Sequence, residues 1–153
     1  RICLGMQVAV IQYARHVAGI ADADSGEFNE ICKNKVIDFM PGQSDEIDKG
    51  GTLRLGAYPC RIQPGTTMER CYGRQEISER HRHRYEFNND YREDLTAAGL
   101  TLSGLSPDGR LAETVELTDR PFYVGVQYHP EFKSRPNNAH PLFKGFIQAA
   151  LEH

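Results

Sequence analysis

The sequence predicts one domain of mixed α/β architecture, and three features of the chain point to it. A helical pattern begins almost at the first residue, several extended segments follow, and an amphipathic helix over residues 141–151 closes the chain. Helices and strands alternate instead of forming separate blocks. With 153 residues the chain can bury one hydrophobic core. We therefore expect a single layered α/β domain over residues 1–153.

The first third of the chain predicts a helix, a loop and a strand. Residues 4–18 carry apolar side chains at a spacing of three to four residues, and Gly19 is suited to end the helix. Residues 21–34 are small and polar, which indicates a loop. Residues 34–40 have strand composition, and Pro41 with the following glycine ends that strand.

The middle of the chain predicts extended structure. The acidic stretch 43–51 is expected to be an exposed loop, and residues 52–62 to be extended with a break near Gly56. If residues 78–88 form a strand, successive side chains point to opposite faces. Its arginines then share one face and its histidines and tyrosine the other: Arg80, Arg82 and Arg84 against His81, His83 and Tyr85.

The last third predicts a short helix, a hairpin and a strand. Residues 90–98 read as the helix. Residues 100–105 and 111–117 flank a Ser-Pro-Asp-Gly-Arg turn and form the hairpin. A strand over residues 122–128 places His129 at its end.

Composition excludes several classes of partner. The net charge of −3 gives no electrostatic case for nucleic acid or an anionic membrane. The sequence has no apolar run of the roughly 20 residues that a membrane-spanning helix needs. The four cysteines show no zinc-site spacing, and a domain of this size folds without disulfides, so we expect a reducing, cytoplasmic location.

Cys3 is the first candidate catalytic residue. It stands where an incoming strand would turn sharply into the first helix, which is the geometry of a nucleophile elbow. The helix N-terminus would stabilise a thiolate, and the N–H of Leu4 would help to bind an oxyanion. Gly5 would keep the tight turn free of collisions. By itself, a cysteine before an apolar helix is also compatible with a structural thiol.

His129 and Glu131 form the second half of the candidate site. An imidazole within reach of a thiol can deprotonate it and can later protonate a leaving amine. Glu131, held by the intervening proline, can fix the imidazole tautomer. A lone His-x-Glu also fits a surface pair, but the two halves together favour catalysis.

These motifs carry a family resemblance. Ile-Cys-Leu-Gly-Met-Gln at 2–7 with Gln-Tyr-His-Pro-Glu-Phe at 127–132 resembles the class I (triad) glutamine amidotransferase family. Residues 51–60 and 80–89 are similar to the glutaminase half of the CTP synthase family. The resemblance implies a flavodoxin-like three-layer α/β fold, of which residues 1–153 would be the C-terminal part. The synthetase domain of that family is not among these residues.

The resemblance also implies a reaction. Cys3 would attack the side-chain amide of L-glutamine, release ammonia and form a glutamyl thioester. In the family a synthetase domain uses this ammonia, ATP and Mg²⁺ to convert UTP to CTP, with GTP as activator. The full-length enzymes assemble as homotetramers. No cofactor is expected to bind this chain itself.

A glutamine pocket is implied as well. The segment Leu4, Gly5, Met6 and Gln7 matches the family's glutamine-binding stretch. Glu27 matches the residue that meets the substrate ammonium, and Arg84 the one that meets its carboxylate, for which a guanidinium is well suited. Without the resemblance, both side chains would also fit a solvated surface. His81-x-His83 has no third ligand, so we expect no metal site.

The sequence departs from the family at its start. Arg1 stands where the family has glycine, and we expect it to crowd the turn. The family's second oxyanion donor lies on a loop before the nucleophile, so we expect a truncated chain with weak or no glutaminase activity. Other class I amidotransferases, for GMP or anthranilate synthesis, a non-catalytic remnant, and a hydrolase of other γ-glutamyl compounds are the alternatives.

Overall fold

The computed structural model describes residues 1–39 and 53–152. It contains four α-helices and eight strands within these residues, in the order α1 (Leu4–His16), β1 (Ala23–Ser25), β2 (Asn34–Phe39), β3 (Arg54–Ile62), α2 (Thr67–Tyr72), β4 (Glu76–His83), β5 (Tyr85–Phe87), α3 (Arg92–Ala97), β6 (Thr101–Leu105), β7 (Ala112–Glu116), β8 (Val124–Val126) and α4 (Pro141–Glu152). Short 3₁₀-helices span Asn89–Tyr91 and Pro130–Phe132. The predicted loop 43–51 lies outside the described residues.

Two sheets organise the domain and confirm the mixed α/β prediction. The larger sheet has the strand order β4-β3-β6-β7-β8, and all its neighbouring strands are antiparallel. Ile2 extends it by a single parallel bridge to Val126. The smaller sheet has the order β1-β2-β5, and α1 packs against it and against β8. The start of α1 therefore lies where the two sheets approach each other.

Two apolar clusters form the core. One packs α1 against the smaller sheet, α3 and the β6–β7 hairpin, with Met6, Val10, Ile37, Leu95 and Val115 at its centre. The other packs α2 and α4 against the larger sheet, around Met68 and Tyr128. None of the helices in the described part of the chain is long and apolar enough to cross a membrane.

Two local predictions are wrong, and one helix was not predicted. β3 is not broken at Gly56, which pairs with His81 within a continuous ladder. The predicted loop 21–34 contains β1, whose three residues are too few to show a period. α2 was not predicted, although Thr66 caps it by accepting a hydrogen bond from the N–H of Glu69.

The alternation predicted for the arginine–histidine segment is confirmed along β4. Arg80 and Arg82 are exposed, whereas His81 and His83 are buried. The strand ends there, and Arg84 lies exposed in the break before β5. The strand thus presents cations to solvent and imidazoles to the interior.

Candidate active site

The backbone at Cys3 confirms the predicted elbow. Cys3 has φ 48° and ψ −111°, and it is the one non-glycine residue with positive φ in the described part of the chain. Its N–H donates to the carbonyl of Val126 at 2.7 Å, and its own carbonyl accepts from the N–H of Met6 at 2.9 Å. A non-glycine residue held in such a conformation costs about 1–3 kcal/mol, and strain of this kind concentrates at functional sites.

Close packing between α1 and β8 holds the elbow in place. A Cβ at Gly125 would lie 3.0 Å from Val115 Cγ2 and 3.2 Å from Met6 Cγ, so glycine permits this approach. At Gly5, by contrast, an added Cβ would meet Arg1 Cβ at 3.8 Å, an ordinary contact. The expectation that Gly5 relieves a collision is therefore wrong, whereas the expectation that Arg1 crowds the turn stays a prediction.

The thiol of Cys3 has a raised pKa. Partial burial is the largest cause, and the negative charges of Glu131 and Glu27 add to it. Two hydrogen bonds act in the opposite direction, from the N–H of Leu4 and from Gln127 Nε2, which lies 3.8 Å from the sulfur. The helix N-terminus does favour the thiolate, as predicted, but burial outweighs it. The resting thiol is protonated and needs a base.

His129 is oriented to act as that base. Its Nδ1 lies 2.6 Å from Glu131 Oε1. Since a carboxylate only accepts, Nδ1 carries the proton and Nε2 presents a lone pair. Nε2 is buried and has no hydrogen-bond partner within residues 1–39 and 53–152. The ring also stacks on Phe132, with centroids 4.8 Å apart.

Main-chain contacts bring Cys3 and His129 to the same edge of the sheet. The N–H of Cys3 is hydrogen-bonded to Val126 at the end of β8, three residues before His129. The N–H of His129 in turn donates to the carbonyl of Arg80 at 2.9 Å. The sulfur lies 4.0 Å from the carbonyl of Arg82, on the same strand β4. The described residues show no hydrogen bond between the sulfur and Nε2.

The predicted glutamine-binding segment is placed at the elbow, and its side chains differ in direction. Leu4 is exposed and Gly5 is half-buried. Met6 is fully buried in the core, so only its backbone can face a ligand. Gln7 is buried too, and its Nε2 donates to the carbonyl of Tyr85 at 2.9 Å and to Gln127 Oε1 at 3.2 Å. Their role in glutamine binding stays a prediction.

Glu27 and Arg84 are both exposed near the elbow. Glu27 follows β1 in a turn in which its N–H donates to Ser25 Oγ at 3.1 Å. A Cβ at the preceding Gly26 would lie 2.7 Å from Asp38 Oδ1, so glycine lets this turn pack on β2. Arg84 comes two residues after Arg82, whose carbonyl contacts the sulfur. A carboxylate and a guanidinium therefore stand on segments that flank the thiol.

The prediction missed two sets of residues. Gln127 occurs in the recognised motif, but no signal in the sequence indicates that its amide reaches Cys3. The second set is a buried ionic cluster, in which Arg54 bonds Glu86 at 3.1 Å and Glu113 at 2.8 Å. The inward histidines adjoin it: His83 Nε2 lies 2.7 Å from Glu86 and His81 Nε2 3.6 Å from Glu113. Alternation predicted that the two histidines share a face, but it did not indicate the contact of His83 with Glu86, three residues on, or that of His81 with Glu113, 32 residues away.

Comparison with known proteins identifies relatives over the whole site. The model of the family described as glutamine amidotransferase class-I matches residues 2–149. A CTP synthase of Moorella thermoacetica is 60% identical over 149 residues, 97% of this chain and 28% of that enzyme. One of Herpetosiphon aurantiacus is 60% identical over 151 residues, 99% of this chain and 28% of that enzyme. The chain therefore spans 28% of the length of each of these enzymes.

A solved structure matches the fold. The glutaminase domain of Trypanosoma brucei CTPS with bound acivicin aligns with a TM-score of 0.92 at 38% identity, covering 99% of this chain and 59% of that chain. The match confirms the expected class I glutamine amidotransferase fold.

Proposed function

Because the chain belongs to the class-I glutamine amidotransferase family, we propose that it is the glutaminase part of a CTP synthase and hydrolyses L-glutamine through Cys3. The observation that carries the proposal is the pairing of a strained elbow cysteine with an oriented imidazole. Cys3 is held at φ 48° with a protonated thiol, and His129 offers an unpartnered Nε2 whose tautomer Glu131 fixes.

The reaction follows from these groups. As the sulfur attacks the amide carbon, its proton passes to His129 Nε2, and Glu131 stabilises the imidazolium. The N–H of Leu4 donates to the developing oxyanion. His129 then protonates the amide nitrogen, and ammonia leaves a glutamyl thioester. Water, deprotonated by the same Nε2, releases glutamate and restores the thiol.

Recognition of free glutamine requires one charge of each sign. Glu27 is proposed to bind the ammonium and Arg84 the carboxylate, while the segment from Leu4 to Gln7 lines the side-chain end. Support comes from position: both charged groups are exposed on segments that adjoin Cys3.

The rest of the proposed enzyme lies outside this chain. By similarity to the CTP synthases, we propose that ammonia passes to a synthetase domain, which aminates UTP with ATP and Mg²⁺ under activation by GTP. We also propose that the full-length enzyme is a homotetramer and is located in the cytoplasm. Within the described residues no cluster of three His, Cys, Asp or Glu side chains could hold a metal ion, and no step is assigned to one.

Labelling with 6-diazo-5-oxo-norleucine tests the glutaminase proposal. This glutamine-like electrophile should modify Cys3 selectively among the four thiols, and glutamine should protect it. Replacement of His129 by Asn should slow the labelling, because the thiol then keeps its proton. Cys32 serves as the internal control, since it is half-buried like Cys3. Equal, slow labelling of Cys3 and Cys32 would support the non-catalytic alternative.

A further inference from the structure

A buried amide stands beside the reactive sulfur. Gln127 is fully buried, and its Nε2 lies 3.8 Å from Cys3 Sγ. Its Oε1 accepts from Gln7 Nε2, which also donates to the carbonyl of Tyr85. We propose that Gln127 is a further catalytic residue, which stabilises the Cys3 thiolate by hydrogen bonding, and that Gln7 is the positioning residue that orients it. The proposal rests on the proposed role of Cys3 as nucleophile.

The carbonyl of Tyr85 fixes the donor and acceptor of each hydrogen bond in this series. The carbonyl of Tyr85 can only accept, so the atom of Gln7 that faces it is the amide nitrogen. The second hydrogen of that nitrogen is donated to Gln127, which must present its oxygen. The nitrogen of Gln127 therefore faces the sulfur as a donor. An amide N–H donor interacts more strongly with a thiolate than with a thiol, because the thiolate carries the charge.

The charges around Cys3 make such a donor valuable. Burial and the carboxylates of Glu131 and Glu27 raise the pKa of the thiol. Gln127 Nε2 and the N–H of Leu4 lower that pKa, and so they act against burial and the two carboxylates before the sulfur attacks. The side chain of Arg82 is exposed, and only its carbonyl approaches the sulfur.

The side-chain amide of Gln127 is not needed for strand pairing. The backbone N–H of Gln127 already donates to the carbonyl of Glu113 at 2.8 Å, which holds the residue in register with β7. Burying a primary amide completely is unfavourable unless both its ends are hydrogen-bonded. An apolar side chain would fill the same space without that requirement. The hydrogen bond to the sulfur explains why a polar amide is buried at this position.

The test measures the ionisation of Cys3 directly. Gln127→Met keeps the length of the side chain and removes the donor. In the longest natural polypeptide that contains this chain, alkylation of Cys3 by iodoacetamide is followed against pH by mass spectrometry. We expect the midpoint to rise by about one pH unit and alkylation at neutral pH to slow about tenfold. The kcat for ammonia release should fall with an unchanged KM.

Controls separate this role from a structural one. Gln12→Met changes an exposed glutamine on α1 and should leave the midpoint unchanged. Gln7→Met should raise the midpoint less than Gln127→Met, and the double variant should match Gln127→Met alone, because Gln7 acts through Gln127. If Gln127→Met fails to fold, Gln127→Glu preserves the shape, and its carboxylate should raise the midpoint further.

An unchanged midpoint in the folded Gln127 variant overturns the proposal, as do strictly additive effects of the two glutamines. Neither result touches the proposed function, which depends on selective, glutamine-protected labelling of Cys3 in the unaltered protein. Loss of that labelling would remove the proposed function whatever Gln127 does.

Discussion

At Cys3, opposing influences on one sulfur atom decide how the site works. The elbow leaves the thiol half-buried, and burial raises its pKa more than the N–H of Leu4 lowers it. A cysteine that relied on the helix N-terminus alone would stay protonated at neutral pH. In the proposed mechanism deprotonation comes from His129, whose Nδ1 is hydrogen-bonded to Glu131 and whose Nε2 has no partner in the described residues. In this proposal Cys3 and His129 together make the sulfur reactive, and the elbow fixes where the sulfur lies.

Arg84 is expected to contribute to substrate affinity. Arg84→Lys should raise the KM for glutamine about 10- to 100-fold, because an ammonium loses the two-pronged contact with the substrate carboxylate. The kcat should change little, since this contact is the same in the ground state and the transition state. Arg80→Lys and Arg82→Lys are matched controls from the outward face of β4. A comparable rise in KM for either control would contradict the assignment.

On the scale of single elements, β4 contacts the site through its backbone carbonyls and the core through its side chains. Its carbonyls at Arg80 and Arg82 contact the N–H of His129 and the sulfur of Cys3. Its inward side chains, His81 and His83, lie against the buried cluster of Arg54, Glu86 and Glu113. That cluster holds two carboxylates for one guanidinium, and burial raises the pKa of Glu113 to about 7. The strand thus connects Cys3 and His129 to a buried ionic cluster.

His81 should make the fold sensitive to acid. Both of its ring nitrogens are buried without a hydrogen bond in the described residues, and burial lowers its pKa to about 2. The unfolded chain takes up this proton below the ordinary pKa of 6.5, whereas the folded chain does not, so stability is lost as the pH falls. His81→Phe removes this effect. From about pH 7.5 to pH 5 the variant should gain about 2 kcal/mol in unfolding free energy relative to the unaltered protein.

Urea unfolding at several pH values measures that difference. Comparing the two proteins at each pH is necessary because Glu113, with its raised pKa, acts in the opposite direction: its contribution is lost as the pH rises towards 7. His16→Phe, an exposed histidine on α1, is the control and should show no dependence of the difference on pH. A constant difference for His81→Phe would mean that His81 binds its proton equally well in the folded and unfolded states, and would contradict the prediction.

Elements with a clear pattern were predictable, and contacts across the chain were not. The hairpin of β6 and β7 and the helices α1 and α4 follow from turn residues and apolar spacing. β1 and α2, with three and six residues, are too short for a period to show. The proximity of Cys3 and His129 to one end of β8 follows from two family motifs, whereas their catalytic roles stay a prediction. The contact of Gln127 with Cys3 spans 124 positions and depends on how α1 packs on β8.

On the scale of the whole molecule, the site lies at the edge that Ile2 forms beside β8. Ile2 contributes a single bridge, and the apolar side chains of Leu4 and Val8 near it are 48% and 41% exposed. Leu4 and Val8 line an open groove with Tyr123. The proposed nucleophile thus lies at a thinly covered margin of the domain, whereas His129 follows the fully buried Tyr128.

This margin leads to a prediction for the 153-residue polypeptide assayed by itself. Its ammonia release from glutamine should be about 10²–10³-fold slower than that of the full-length Moorella thermoacetica relative, because the Leu4 N–H would act without the second oxyanion donor that the family resemblance implies. Circular dichroism and labelling of Cys3 by 6-diazo-5-oxo-norleucine establish whether the polypeptide is folded and its thiol competent. A folded polypeptide that turns over as fast as the relative would show that the N–H of Leu4 suffices for the oxyanion and would contradict the prediction.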